Sequence, residues 1–221
     1  MRIFTLLIAS LFLFLTNPSN THAQNTEQCV SEIEFQEAAK QDPNLLKVRE
    51  DLEKETAEWI ANKSSQRGGG QVYKIPVVFH VIHTCGGENI SKAQILNQLE
   101  TLNEDFSRTN SDASQTPLQF ANVAADTEIE FVLAQLDPQG NCTDGINRIY
   151  SNLSHSPDPR NSVKSTIYWP RSKYLNIWVV GSIINTSGSG GIILGYAQFP
   201  GGSGTTDGIV IRADYTGSIG T

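Results

Sequence analysis

Cysteine is scarce in this 221-residue chain, charge is sparse and leans to one sign, and only one long apolar run occurs. Three cysteines, Cys29, Cys85 and Cys142, show no CxxC or Cys/His spacing, so nothing suggests a structural zinc site among them. Sixteen basic residues against 23 acidic ones give a net charge of −7 without a basic stripe, which argues against nucleic acid as the main partner. Charged residues at 18% and 18 glycines fit neither a coiled coil nor a collagen. No glycine-rich stretch continues into Lys-Ser/Thr, which excludes a phosphate loop, and Gly188-Ser189-Gly190 and Gly202-Ser203-Gly204 fall short of G-x-S-x-G.

The one long apolar run is Ile3–Leu15, behind Arg2 and ahead of the small-residue exit Thr21-His22-Ala23. It is too short to cross a bilayer, which takes roughly 20 apolar residues, and it has the layout of a cleavable secretory signal over residues 1–23. The expectation is an exported, secreted protein with no membrane association once the signal is removed. An odd cysteine count in such a chain leaves one thiol unpaired or pairing elsewhere.

Residues 24–70 read as a helical leader and hinge. Leu45, Leu46, Val48, Leu52, Trp59 and Ile60 lie among dense charge at roughly helical spacing, and Asp42-Pro43 makes a fitting helix start. Ser64–Gly70 (SSQRGGG) is a flexible stretch with one basic residue, Arg67, where a protease would cut readily. A pro-segment and a plain helical extension on a linker are both compatible with this composition.

Residues 71–221 read as one α/β unit with a twisted, mostly parallel sheet. Tyr73–Ile82 is apolar on both alternating faces, as in a strand buried on both sides. Ser91-Lys92-Ala93-Gln94 forms a capping box, and Ile95, Leu99, Leu102 and Phe106 make one helical stripe behind it. Glu128–Leu136 is a second strand, completing a parallel crossover. Gly145–Tyr150 is a short strand or flap, Ser151–Ser165 a polar loop, and Tyr174–Val180, Ile192–Phe199 and Gly208–Ala213 further strands. No helix follows to cover the second face of the sheet, so the chain is expected to leave apolar surface bare there.

His80 and His83 stand an odd number apart on a strand and point to opposite faces, so they cannot hold one ion together without a bulge. His155, in a polar loop with no carboxylate or cysteine nearby in sequence, reads as a surface residue. The residues alone therefore supply no complete catalytic constellation.

Several ordered motifs nevertheless form a pattern: Trp169-Pro170, Tyr174–Val180 (YLNIWVV), Leu194–Pro200 (LGYAQFP) and Asp207–Ile211 (DGIVI), preceded by FHVIH and by NISKAQILNQLETLNEDF. Across residues 71–221 this resembles the amino-terminal part of the catalytic domain in the pappalysin/cytophagalysin family of metzincin zinc metallopeptidases. The resemblance implies a metzincin-like N-terminal subdomain and a secreted zymogen acting on protein or peptide substrates. In that family the DGIVI-like strand leads to a helix bearing H-E-x-x-H-x-x-G-x-x-H, which binds zinc and supplies the base for the metal-bound water. That motif is absent from this chain. The resemblance thus places the zinc ligands beyond Thr221, with calcium sites further on as well, and assigns no catalytic or metal residue here. The 221-residue chain is expected to be inert alone.

The resemblance also implies that the strand containing Leu194, Gly195, Tyr196 and Ala197 pairs with extended substrate, Gly195 allowing close backbone approach. It makes Cys29 a candidate zymogen switch on zinc, although Val30 departs from the usual Cys-Gly, and Arg67 a candidate activation site. Cys85 and Cys142, at the ends of adjacent strands, are candidates for a disulfide. The alternative to a protease precursor is a secreted, non-enzymatic α/β module that binds peptides or serves adhesion.

Overall fold

Strand β1, Tyr73–His83, organises everything else: six consecutive residues from Val77 to Ile82 are buried, because both of its faces are covered. The computed structural model describes residues 30–63, 71–186 and 191–219. The signal region, Cys29, Arg67 and the Gly188-Ser189-Gly190 triplet lie outside the described residues.

Helix α1 (Val30–Gln41) and helix α2 (Asn44–Lys63) precede β1, and helix α3 (Lys92–Phe106) follows it. Strand β2 is Ile129–Leu133 and strand β3 is Ile146–Tyr150. Strand β4 is Leu175–Val180, β5 Gly195–Ala197 and β6 Ile209–Arg212. The sheet order is β2-β1-β4-β6-β5. β2 pairs with the first half of β1 (Tyr73 opposite Ile129) and β3 with the second half (Phe79 opposite Ile146), both parallel and both away from β4. β4 and β6 continue the parallel run, and β5 closes it antiparallel to β6. The sheet is thus mostly parallel, with β1-α3-β2 as its parallel crossover.

Alternation along the strands sorts the core into two halves. Val77, Phe79, Val81, Ile177 and Val179 face α3, where Ile95 is buried and Leu99, Leu102 and Phe106 pack behind it. Ile82, Trp178, Val180 and Val210 face the opposite way and meet Val163, Ile183, Ile193 and Tyr196. This second face is not bare, contrary to the sequence-based expectation. The stretch 152–166 folds into two 3-10 turns, Asn152–Ser154 and Arg160–Thr166, that lie over it without a long helix. A polar sequence hid this, since only Val163 in the second turn supplies a large apolar group to the core.

Ser91 caps α3 as the sequence indicates, accepting a hydrogen bond from Gln94 N at 3.1 Å. The reciprocal half of the capping box is not formed. Gln94 Nε2 instead donates to Ala213 O and Thr216 O, tying α3 to the segment after β6. The leader is two helices, the first of which shows no clear periodicity in the sequence because its apolar positions are few. The expected strand over Ile192–Phe199 shortens to three residues, with Gln198 N still reaching Gly208 O at 3.3 Å.

Cys85 and Cys142 are both free and exposed, which corrects the expected disulfide. The register explains why. Phe79 N donates to Gly145 O, so Cys142 lies near the middle of β1, whereas Cys85 lies beyond its last residue. At about 3.3 Å per residue the four strand positions from Phe79 to His83 already span about 13 Å, outside disulfide reach, and Cys85 lies two residues further on.

Candidate functional site

The free edge of β5 is where sequence expectation and structure meet. Leu194 O accepts from Arg212 N at 2.9 Å, and Gln198 N donates to Gly208 O, so the even-numbered positions are spent on β6. By the alternation of an antiparallel ladder, the main-chain groups of Gly195 and Ala197 point outward. The outward N–H of Ala197 is not left to solvent: it donates to Ser31 Oγ of α1 at 3.0 Å. A leader residue therefore occupies a main-chain position that an added strand would use.

Further side chains hold the leader there. Phe35 of α1 meets Phe199 edge-on at 5.6 Å between ring centres, and both rings lie about 5 Å from the Arg49 guanidinium of α2. Arg49 also pairs with Glu32 at 2.9 Å, joining the two leader helices. Leu45 and Ala39 complete this small apolar cluster. The remaining apolar stripe of α2 is left exposed, with Trp59 and Ile60 each close to 60% accessible.

Tyr196, between the two outward positions, turns its ring into the second face, where it is 5% accessible. Lys164 Nζ lies 5.1 Å from the Tyr196 ring centre and 5.4 Å from that of Trp178, and donates to Thr206 O at 2.7 Å. Burial pushes this ammonium down to about 8, against the pull of Glu34 and Asp207. Burial also raises the Tyr196 phenol above its usual range, with Glu34 adding to the effect. Gly195 also has a packing reason within the sheet: a Cβ there would meet Val210 O of β6 at 2.9 Å. Gly208, at φ +137°, is also held to glycine, since its Cβ would strike the Asn176 carbonyl.

His80 and His83 do diverge. His80 is fully buried, with Nε2 2.9 Å from Asn176 Oδ1 and Nδ1 3.2 Å from Asn147 Nδ2. Asn176 Oδ1 also accepts from Trp169 N and its Nδ2 donates to Trp169 O, which fixes the amide orientation. His80 therefore carries its proton on Nε2, and both ring nitrogens are engaged. His83 stands edge-on against Tyr150. His155 does have a carboxylate neighbour: folding brings Glu88 to 3.7 Å and Thr84 Oγ1 to 3.2 Å. Glu88 anchors the turn after β1, and hydrogen bonds led by Thr84 N–H hold it down at about 2. Neither the spacing of these residues nor their types would have disclosed that turn.

No group of three or more His, Cys, Asp or Glu among the described residues is placed to hold a metal ion. With His80 committed to two asparagines, the described residues do not fit a zinc site. No described helix is long and apolar enough to cross a membrane.

The architecture defined by these features is a mostly parallel α/β scaffold with an antiparallel rim strand, covered by an N-terminal helical leader. It is similar to promirolysin (mutant E225A) of Tannerella forsythia, at 36% identity and a TM-score of 0.65, over 86% of this chain and 61% of that one. It is also similar to mature mirolysin of the same organism in complex with a cleaved peptide, at 40% identity and a TM-score of 0.60, over 67% and 55%. Mirolysin in complex with compound 9 gives 40% and 0.58 over the same shares. The chain thus spans little more than half the length of the structures it matches, and these likenesses support a metzincin-like protease family for it. No family model matches the sequence, and no curated protein matches it.

Proposed function

We propose that this chain is the leader-bearing scaffold of a secreted zinc metalloendopeptidase precursor in the pappalysin division of the metzincins. One observation carries the reading: Ser31 of the leader takes the outward N–H of Ala197 on the rim strand. An extended peptide adding to that edge would need the same donor. The leader then acts as a plug, and its departure frees Gly195 and Ala197 to align a substrate backbone by main-chain hydrogen bonds.

The likeness to the mirolysin structures supports the leader's removable character. The share of this chain covered rises from 67% against the mature form to 86% against the pro-form, a difference the size of the leader. In this reading the zinc, which supplies the Lewis acid and activated water, is held by residues outside this chain. The contribution of these residues is to orient the peptide and to withhold the edge until activation. Secretion through the 1–23 signal, cleavage at Arg67 and a switch role for Cys29 belong to the same proposal.

The test uses the whole gene product. Peptide hydrolysis should appear only after the leader is cleaved, should vanish with 1,10-phenanthroline and should return with added zinc. Arg67→Ala should slow activation without altering the activated enzyme. Hydrolysis that withstands chelation, or a leader-free product with none, would overturn the reading.

A further inference from the structure

The leader does more than cover an edge. Glu34 of α1 reaches past it to groups that belong to the folded domain: Arg160 Nε lies 3.2 Å from its Oε1, and Asn161 Nδ2 donates to its Oε2 at 2.8 Å. Arg160 is 8% accessible, and its Nη2 donates to Thr186 Oγ1 at 2.7 Å while its Nη1 has no hydrogen-bond partner. The buried Tyr196 hydroxyl has none either, and it sits in the field of both Glu34 and Arg160. Glu34, Asn161, Lys164 and Tyr196 line a cavity of about 160 Å³ that reaches Ala197 of β5, and Arg160 lines an adjoining cavity that shares Glu34 and Asn161 with it.

A guanidinium this deeply buried is costly without a counter-charge, and a second buried cation nearby adds to the demand. Glu34 meets that demand in the precursor, but it is attached to the leader, whereas Arg160, Asn161 and Lys164 are not. The cradle also opens beside Ala197, next to the main-chain position held by Ser31. We propose that Arg160, Asn161 and Lys164 form a carboxylate-binding pocket, filled in cis by Glu34 and available, once the leader withdraws, to a glutamate side chain of a peptide lying along β5. This rests on reading the leader as removable and β5 as a peptide-pairing edge.

The experiment empties the pocket in the full 221-residue chain with Glu34→Ala. The probes are N-acetylglutamic acid N-methylamide and its glutamine counterpart, followed by the NMR resonances of Asn161 Nδ2 and Arg160 Nε. The acid should bind the variant at least tenfold more tightly than the amide does, and at least tenfold more tightly than it binds the self-filled wild type. Adding Arg160→Gln should erase the preference. Should Glu34→Ala fail to fold by circular dichroism, Glu34→Gln removes the charge, keeps the shape and is titrated in the same way. Equal affinity for acid and amide, shifts remote from Arg160 and Asn161, or no binding at all would overturn the proposal. Because the readout is binding, a whole gene product that hydrolyses no peptide would sink the protease reading and leave this result standing.

Discussion

Lowering the pH from 7 to 4 should remove a defined increment of stability through His80. The ring is fully buried between Trp178 and Trp169, and burial pushes its pKa from 6.5 down to about 4, with the Asn176 hydrogen bond opposing the shift only in part. Below 6.5 the unfolded chain gains a proton that the folded chain refuses, so stability is fully present above 6.5 and declines as pH falls toward 4. Two and a half pH units at about 1.4 kcal/mol each bring the loss at pH 4 to about 3 kcal/mol, a large share of a domain's net stability. The carboxylates complicate a raw acid profile, so the measurement is a difference. Urea unfolding of the wild type and of His80→Gln, followed by tryptophan fluorescence at pH 7, 6, 5 and 4, should show the gap between them closing by about that amount. Parallel profiles, or an NMR titration placing the His80 midpoint near 6.5, would refute the argument that burial beside two indoles holds this ring neutral. The contribution of Glu88 follows the same sign at lower pH: its carboxylate stabilises the fold above 4.5, and that contribution fades toward about 2.

Other outcomes follow from single contacts. Asn176→Leu leaves Trp169 N–H and the His80 ring without their shared acceptor inside the core, and should cost about 2–4 kcal/mol in chemical denaturation. Phe199→Ala removes the ring on which Phe35 rests and should make the leader helices cleavable by added trypsin at concentrations that spare wild type, leaving residues 71–221 intact on a gel. Gly208→Ala drives a methyl into the Asn176 carbonyl at a positive φ, and should lower the melting temperature by several degrees more than Gly140→Ala, which meets open space. Iodoacetamide applied to the native, unreduced chain should alkylate both Cys85 and Cys142, as read by peptide mass; protection of both until reduction would show that they pair after all.

The sequence by itself determined the parts built from local periodicity. The doubly buried run of β1, the stripe and Ser91 cap of α3, and the apolar runs of β4 and β6 are each specified by residues adjacent or one turn apart. The same holds for the mostly parallel sheet, because a crossover with a helix between two buried strands has few alternatives. Motif order across 71–221 pointed to a metzincin scaffold, and the shared fold agrees with it. What needed the tertiary structure was every relation between distant segments of low periodicity. The polar stretch 152–166 gave no sign that it covers a sheet face, because the burial it provides rests on Val163 and on the stems of Arg160 and Lys164. Nothing around Ser31 or Glu34 marks them, since a helix with few apolar residues shows no face until it is docked. Cys85 and Cys142 looked like partners because strand adjacency is legible in sequence while register is not. Local chemistry selects elements, but only the packed chain decides which backbone donor meets which leader side chain, and that is where the candidate site lies.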